Sequence, residues 1–478
     1  MAEGVTDTGA QYGTVVGLVY IFNLIVGTGA LTMPAAFQQA GWLVSLILIV
    51  LLAFISYVTV TIVTEVMAVA NAVLRLERHG SQNSHEEPED TKEEVPLLQG
   101  RRLDVDKLFD ISERIEMGKM AKMFFNSVGE KLFYLCLVIY LYGDMSIYVA
   151  AVPKSLRDTV CTWRPFNETN CNKSLSDTEP CWTSSSLSRM DAYRIFVACF
   201  ILALGPFVFF NVQKTKILQV ITGSARWLAF GIMIVLAVMQ LAQHRGEGRP
   251  AIGNIAGVPN LFGVCVYSFM CHHSLPSLIT PIKDKSKLYK VLAADYILIL
   301  SFYALLSFTG IYTFKSIQDL YTLNFLPDEC GNNSVTSVKF FQYFLALFPV
   351  FTLSTNFPII AITLRNNLQT LFLKPDRDYS KYVRNLFPIL AVIPPTIVAM
   401  VTNEVEILVG ITGSYAGAGI QYVIPALLVY FARKDPLVID YRNYHRSPFS
   451  HVGWIILILA WSVICVGFVT VNHIITQK

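Results

Sequence analysis

About eleven long apolar runs constrain what this 478-residue chain can fold into. Each run holds roughly 18 or more residues with few charges, which is the length that a helix needs to cross a bilayer. The hydrophobic fraction of 54% and the mean hydropathy of +0.50 agree with this. The sequence therefore predicts an all-α polytopic membrane protein that forms one domain over residues 1–478. The expected spans lie near residues 12–37, 42–65, 130–153, 194–212, 217–241, 257–281, 291–314, 340–364, 385–402, 407–431 and 451–475.

Other classes of function find no support in the sequence. The net charge of +3 is small, and no basic stretch with interleaved aromatic residues indicates a nucleic-acid partner. The chain has no Gly-rich phosphate loop, no metal-spaced Cys/His cluster and no nucleophile elbow. We therefore expect no enzymatic activity, no metal and no cofactor, with membrane lipid as the surrounding partner.

Short connections between the spans indicate the orientation. Basic residues cluster after the sixth span at 283–290, after the eighth at 365–384 and after the tenth at 433–446. Because positively charged loops stay in the cytosol, we expect this side and the amino terminus to be cytosolic.

The loops on the opposite side carry signs of a lumenal compartment. Glycosylation acceptors follow the third and seventh spans, at Asn167, Asn172 and Asn332. Four cysteines lie in the same loops, where an oxidising lumen lets disulfides persist. The sequence leaves three pairings open among Cys161, Cys171, Cys181 and Cys330.

Residues 66–129 form a cytosolic insertion between the second and third spans. The stretch 79–105 is acidic and polar without apolar periodicity, so we expect it to be disordered. Within it, Glu93, Leu97 and Leu98 resemble the acidic dileucine signal that clathrin adaptors read on lysosomal and endosomal membrane proteins. The alternative is a solvated linker. We therefore expect a lysosomal or endosomal location.

The remainder of the insertion, residues 106–129, has a different pattern. Apolar residues at helical spacing, such as Leu108, Ile111 and Ile115, alternate with charges. This pattern predicts an amphipathic helix on the membrane surface. A helix packed against the cytosolic ends of other spans is the alternative.

The first span carries Gly-Thr-Gly at its middle, in the stretch FNLIVGTGALTMP of residues 22–34. Irregular backbone survives in a bilayer only where protein or a cavity satisfies its polar groups. The sixth span combines small residues, two histidines and prolines Pro276 and Pro281, and five spans separate the two starts. Interrupted helices at matching places in two halves are typical of inverted-repeat transporters, which bind their ligand at the breaks. Simple kinks are the alternative.

These two stretches also carry a family resemblance. FNLIVGTGALTMP resembles the opening motif of the amino acid/auxin permease family, and YSFMCHHSLP, residues 267–276, is similar to its sixth-span signature. Over the whole chain the resemblance is to the family called transmembrane protein 104. The resemblance implies a LeuT-type fold, with five-plus-five inverted spans and one extra helix, and amino acid transport as the usual activity.

The resemblance implies a substrate site at the breaks. Gly27, Thr28 and Gly29 occupy the unwound turn whose backbone meets a substrate carboxylate in the family. Ser268 and His272 of the sixth span are the candidates on the other side of the same site.

The resemblance also implies positions for a coupling ion. Asn23 occupies the first-span position that helps to hold sodium in sodium-coupled relatives. Thr352 and Thr355 of the eighth span both align near the hydroxyl ligand of that ion. The family's proline-rich sequence is replaced here by Ser-Thr-Asn at 354–356, which puts sodium coupling in doubt.

Charged residues inside the spans suggest a proton instead. Asp144 in the third span and Arg226 in the fifth should each pair or line water. Proton-coupled relatives of this fold place a basic residue on the fifth span, and snorkelling of Arg226 to the interface is the alternative. The exchangeable proton would sit on Asp144 or on the histidine pair 272–273. Glu65 is predicted to be an interfacial charge, and Asp295, near the start of the seventh span, is left without a role.

Two functions fit these features. The leading prediction is a secondary transporter of a small amino acid or related zwitterion across the lysosomal or endosomal membrane, driven by protons or, less favourably, by sodium. The alternative is a transporter-like nutrient sensor that binds an amino acid and signals through its cytosolic segments.

Overall fold

The computed structural model describes residues 11–83, 107–163, 176–183, 186–209, 216–327, 335–373 and 379–476. Within these ranges the chain is helical, and its β-structure is limited to two isolated bridges. The α-helices are α1 (Thr14–Ile25), α2 (Thr28–Ala40), α3 (Trp42–Asn83), α4 (Met117–Phe124), α5 (Ser127–Val160), α6 (Arg189–Leu204), α7 (Lys216–Ala242), α8 (Val258–Ser268), α9 (Leu275–Ile279), α10 (Leu288–Thr313), α11 (Lys339–Phe372), α12 (Lys381–Val401), α13 (Val405–Thr412), α14 (Ile424–Ala432) and α15 (Val452–Thr476).

The described helices confirm a polytopic all-α membrane protein. Ten of them are long and apolar enough to cross a membrane, and the count is eleven if the bent pair α1 and α2 forms one span. Helices α8 and α9 belong to one span, and so do α13 and α14, which two π-helical turns at Gly413–Gly417 and Gly419–Val423 connect.

Small residues let the central helices approach each other closely. A Cβ atom on Gly263 of α8 would lie 1.9 Å from the carbonyl oxygen of Gly410 in α13, and one on Gly413 would lie 1.9 Å from that of Gly263. Inside a membrane there is little hydrophobic drive between helices, so close backbone packing of this kind supplies much of the association energy. It places the sixth span firmly against the tenth.

The two ends of the helix bundle are distinct. We call the end at which α1 begins the N-terminal side. There the backbone N–H of Tyr12 donates to the carbonyl of Pro281 over 3.1 Å, which ties the start of α1 to the residues after α9. At the opposite side a disulfide joins Cys161 and Cys181. The other two cysteines of these loops, 171 and 330, lie outside the described residues.

One prediction about Glu65 was wrong. It is not an interfacial charge but is 2% exposed inside α3, which continues to Asn83. Its carboxylate accepts two hydrogen bonds from Arg433, at 2.8 and 2.7 Å, and one from the Ser447 N–H at 2.9 Å. The apolar run ends near residue 65, but a cation from the tenth span lets the helix bury the acid and continue.

The helix expected over 106–129 is shorter in the structure. Between residues 107 and 126, the described part of this stretch, α4 is the one α-helix, and Met117, Met120 and Phe124 are buried against other helices. α4 packs on α5, α14 and α3. This agrees with the packing alternative, because the apolar face of α4 is covered by protein.

Candidate functional site

The first span is broken between α1 and α2. The two helices are bent by 56°, and Val26 and Gly27 between them are not helical. Each helix end leaves backbone groups without an intrahelical partner, namely carbonyls at the end of α1 and amides at the start of α2. A Cβ atom on Gly27 would meet only two carbonyl oxygens, both 4.0 Å away. The break therefore exposes polar backbone next to open space.

The sixth span is interrupted at the same depth. α8 ends at Ser268, a short 3-10 turn covers His272–Ser274, and α9 follows. A Cβ atom on Gly29 of α2 would lie 2.2 Å from the Ser268 hydroxyl oxygen and 2.8 Å from its Cα. Only glycine leaves room for this contact. The two broken spans therefore touch where both lose their helical structure.

A tyrosine from the seventh span joins the two breaks. The hydroxyl of Tyr303 lies 2.9 Å from the carbonyl oxygen of Ile25 and 3.0 Å from that of Ser268. Its ring packs edge to face on Phe269, the first residue after α8. The one proton of this hydroxyl can be donated to either carbonyl, and the Ile25 oxygen also accepts a hydrogen bond from the Gly27 N–H over 2.9 Å.

Arg226 of α7 faces the first break. One of its guanidinium nitrogens donates to the carbonyl of Asn23 and, over 3.0 Å, to that of Val26. The carboxyl-terminal end of a helix carries a partial negative charge, so a cation is favourable there. In the described part of the chain no acidic side chain forms an ion pair with Arg226. The arginine is held by backbone oxygens alone.

One side-chain oxygen beside the break has no described hydrogen-bond partner. It is Oδ1 of Asn23 in the last turn of α1, and the atom is buried. Oγ1 of Thr28 at the start of α2 is also buried, and it lies within hydrogen-bonding reach of Tyr148 on α5. Buried polar atoms are nearly always hydrogen-bonded, to protein or to something else. The Asn23 oxygen is therefore available to a polar ligand or to water.

Asp144 lies near the second break, at the middle of α5. It is 8% exposed, and the hydroxyl of Tyr267 donates to its carboxylate. Tyr267 immediately precedes Ser268, so this contact ties the acid to the end of α8. Asp144 forms no described ion pair with Arg226, but Tyr148, one turn further along α5, is within electrostatic reach of both.

His272 lies in the second break itself, whereas Thr352 and Thr355 are not brought to either break by a described hydrogen bond. Nε2 of His272 lies 2.8 Å from the hydroxyl of Thr59 in α3, so the ring is held by the second span. The hydroxyls of Thr352 and Thr355 donate to carbonyls of their own helix, α11. By contrast, residues Asn23, Gly27, Thr28, Gly29, Arg226 and Ser268 do gather around the first break.

The predicted sorting and glycosylation residues lie outside the described residues. They are Glu93, Leu97, Leu98, Asn167, Asn172 and Asn332.

Sequence reasoning missed the tyrosines of the site. Tyr303 and Tyr267 lie in apolar spans, and an aromatic residue there has no signature that separates packing from hydrogen bonding. Thr59 was missed for the same reason, since a threonine in a membrane helix usually bonds to its own backbone. A buried tyrosine needs a hydrogen-bond partner for its hydroxyl, and this requirement was the one signal that could have indicated a polar role for Tyr267 and Tyr303.

Comparison with known proteins agrees with this architecture. The family described as transmembrane amino acid transporter protein matches residues 11–82 and 105–471 of the chain. This chain belongs to that family. Amino acid transport is the activity that the description of this family names, and it is the general function of the chain as a member.

Several full-length relatives are similar to the chain. Transmembrane protein 104 of Homo sapiens is 51% identical over 500 residues, covering 100% of this chain and 99% of the relative. The protein of that name from Gallus gallus is 50% identical over 505 residues and covers 100% of both. A homologue from Drosophila melanogaster is 47% identical over 505 residues, covering 98% of each. These names specify no substrate or coupling ion.

Proposed function

We propose that the protein is a secondary transporter that moves a small amino acid or related zwitterion across the lysosomal or endosomal membrane, coupled to protons. The observation that carries this proposal is the contact of Arg226 with the carbonyls of Asn23 and Val26. A fixed cation takes up acceptors that a sodium ion would need, and it repels a second cation at short range. Sodium is therefore dispensable in this mechanism.

The chemistry of the first break suits a zwitterion. The amides of Thr28 and Gly29 at the start of α2 have no intrahelical acceptor and lie at the positive end of the helix dipole, so they attract a carboxylate. The open space beside Gly27 lets that carboxylate approach the backbone. The buried oxygens of Asn23 and Thr28 can accept hydrogen bonds from the ammonium group.

The second break completes the proposed substrate site. Ser268 touches Gly29, so it forms the wall that faces the start of α2. His272 supports this wall from the other side through its contact with Thr59. Thr352 and Thr355 remain candidates for a cation only if Arg226 withdraws from the break.

Asp144 is the proposed proton carrier. A charge near the bilayer centre costs about 2.5–3.5 kcal/mol on the insertion scale, so a carboxyl group there gains from taking up a proton. Asp144 contacts Tyr267, which is next to Ser268 at the end of α8, so a change in the protonation of Asp144 can affect the second break. Proton uptake and substrate binding can then act on the same helix end.

Uptake into proteoliposomes tests this function. We expect purified protein to take up an amino acid from a labelled mixture when a pH gradient is imposed, equally well in sodium and in choline. Asp144→Asn keeps the shape but cannot carry a proton, so uphill uptake should be lost while binding survives. Arg226→Ala should also lose uptake.

Two exposed positions provide matched controls. Asp284→Asn and Arg194→Ala change the same residue types away from the breaks, and uptake should stay at the unmodified level. Strict sodium dependence, or full pH-driven uptake by Asp144→Asn, contradicts the mechanism. Binding of an amino acid without any uptake would favour the nutrient sensor. Metabolite profiling of isolated lysosomes with and without the protein would identify the substrate.

A further inference from the structure

A second buried acid lies on the seventh span. Asp295 of α10 is 2% exposed, and neither of its carboxylate oxygens has a hydrogen-bond partner. It lies about two helical turns from Tyr303, towards the N-terminal side. An unpaired carboxylate ion is far more costly to bury than the neutral acid. The geometry therefore favours a protonated Asp295 in this conformation.

No described cation offsets the charge of Asp295. The helices that pack on α10 are α1, α2, α3 and α7. α1 and α2 contain no charged residue. On α3 the titratable groups at comparable depth are Tyr57 and Glu65, and Glu65 already forms an ion pair with Arg433. The other charged residues of α3 come after residue 74. On α7 the described cation is Arg226, which is bound at the first break.

A metal cation is a poor occupant for this position. Hard cations require several oxygen ligands around them. The thiol of Cys271 and the hydroxyl of Tyr296 are within electrostatic reach of Asp295, and these two groups lie 3.5 Å apart and contact each other. One carboxylate beside a thiol and a phenol does not form such a shell, but it can hold a proton.

The structure closes this region towards the N-terminal side. The backbone of Tyr12 exchanges hydrogen bonds with Pro281 and Lys283, each 3.1 Å long. A Cβ atom on Gly17 of α1 would lie 2.9 Å from the side chain of Ile282, so the two segments are in tight contact. Helix α1 also packs on α10, the helix that carries Asp295, so separation of α1 from the residues after α9 is the opening that we expect to admit water to Asp295.

We propose that Asp295 is a second proton-binding site, which keeps its proton while the Tyr12–Pro281 contact is closed and releases it when that contact opens. On opening, the O–H bond of Asp295 breaks, its electron pair stays on the carboxylate, and water carries the proton away. The carboxylate of Asp295 is then stabilised by water. Because burying this anion again is costly, the Tyr12–Pro281 contact stays open until Asp295 takes up a proton. This deepens the proposed proton coupling and rests on it for its role in transport.

Thermal unfolding of the purified full-length protein tests the site without a substrate. Because the closed conformation holds the neutral acid, its melting temperature should fall as the pH rises from mildly acidic to mildly alkaline. Asp295→Asn replaces the acid with a neutral group of the same shape and should reduce this fall, while the buried Asp144 contributes the remainder. The exposed Asp440→Asn is the matched control and should leave the fall unchanged.

Infrared spectroscopy gives a second readout, which tests the proposal if Asp295→Asn is too unstable for the melting experiment. Raising the pH should remove a carboxylic acid C=O band, and Asp295→Asn should lack that band while Asp144→Asn retains it. An Asp295→Asn variant with an unchanged pH dependence and an unchanged band would overturn the proposal. So would stabilisation by sodium that Asp295→Asn abolishes, since the site would then hold a metal cation. Neither readout uses uptake, so a failure of the proposed transport function would be seen separately.

Discussion

The hydroxyl of Tyr303 lies 2.9 Å from the carbonyl oxygen of Ile25, the last residue of α1. The same hydroxyl is 3.0 Å from the carbonyl of Ser268, the last residue of α8. One side chain of a continuous helix therefore holds the ends of two broken ones. Any movement of α1 against α8 has to break or exchange this bond, since the hydroxyl has a single proton to donate.

Tyr303→Phe should destabilise the protein while it preserves the packing of the ring. The change removes the one proton that the hydroxyl can donate to these two buried carbonyl groups, and a buried acceptor without its donor costs about 1–3 kcal/mol. Thermal unfolding in detergent measures this loss. Tyr312→Phe, at a more exposed position of the same helix, is the matched control and should change the melting temperature little. Equal effects of the two substitutions would show that the bridge contributes nothing.

Gly29→Ala should disrupt the contact between the two breaks. The added methyl group would lie 2.2 Å from the Ser268 hydroxyl oxygen and 2.8 Å from the Ser268 Cα, so the backbone has to move. Overpacking of this kind costs about 1–3 kcal/mol. In Gly231→Ala the added atom would meet nothing within 4 Å, so this control should fold and melt normally. A melting temperature for Gly29→Ala as high as that of the control would argue against the close contact.

The spans and their two breaks were predictable because their signals are local. A run of apolar residues sets the length of a membrane helix, and Gly-Thr-Gly at 27–29 interrupts the first span within that run. The charge of Arg226 inside a span was equally visible. Its partners at the first break were not, because the contact joins positions 203 and 200 residues apart in the chain.

The side-chain directions at the site were not predictable for a related reason. His272 turns to Thr59, a residue 213 positions away, and no pattern in the sixth span specifies that choice. Glu65 was misjudged because its cation comes from the tenth span, 368 positions later. A hydropathy profile treats each helix separately, whereas the partner of a polar side chain depends on which other helix packs beside it.

Glu65→Gln should destabilise the N-terminal side of the bundle strongly. The change removes one charge of a buried pair and leaves Arg433 uncompensated, which costs about 3–5 kcal/mol. Glu113→Gln is the matched control, since Glu113 also accepts two hydrogen bonds from one arginine, Arg78, whose side chain is 55% exposed. An exposed pair contributes about 0–1 kcal/mol. Comparable losses of melting temperature would contradict a specific role for the buried pair.

Replacing Leu97 and Leu98 by alanine should move the protein from its proposed lysosomal location towards the cell surface. The two leucines are expected to fill an apolar pocket of a clathrin adaptor, and alanine leaves most of that pocket empty. Surface biotinylation measures the shift, with Val95→Ala in the same segment as the control. If the double variant stays in lysosomes to the same extent as the control, another signal directs sorting.

The opposite side of the bundle should be glycosylated. Cys161 and Cys181 are joined there, and disulfides persist in oxidising compartments such as the lumen. Asn167 and Asn172 lie in sequence between these cysteines, and Asn332 lies in the loop after α10. We therefore expect glycosidase to increase the gel mobility of the unmodified protein.

Substitution of all three acceptors by glutamine should abolish that mobility change. Asn333→Gln provides the control, because Asn333 is followed by Ser334 and Val335 and is not an acceptor sequence, so its glycosidase shift should match the unmodified protein. An unmodified protein without any glycosidase shift would show that the predicted orientation or the predicted compartment is wrong. In a reversed orientation the basic connections at 283–290 would face the lumen, against the positive-inside rule.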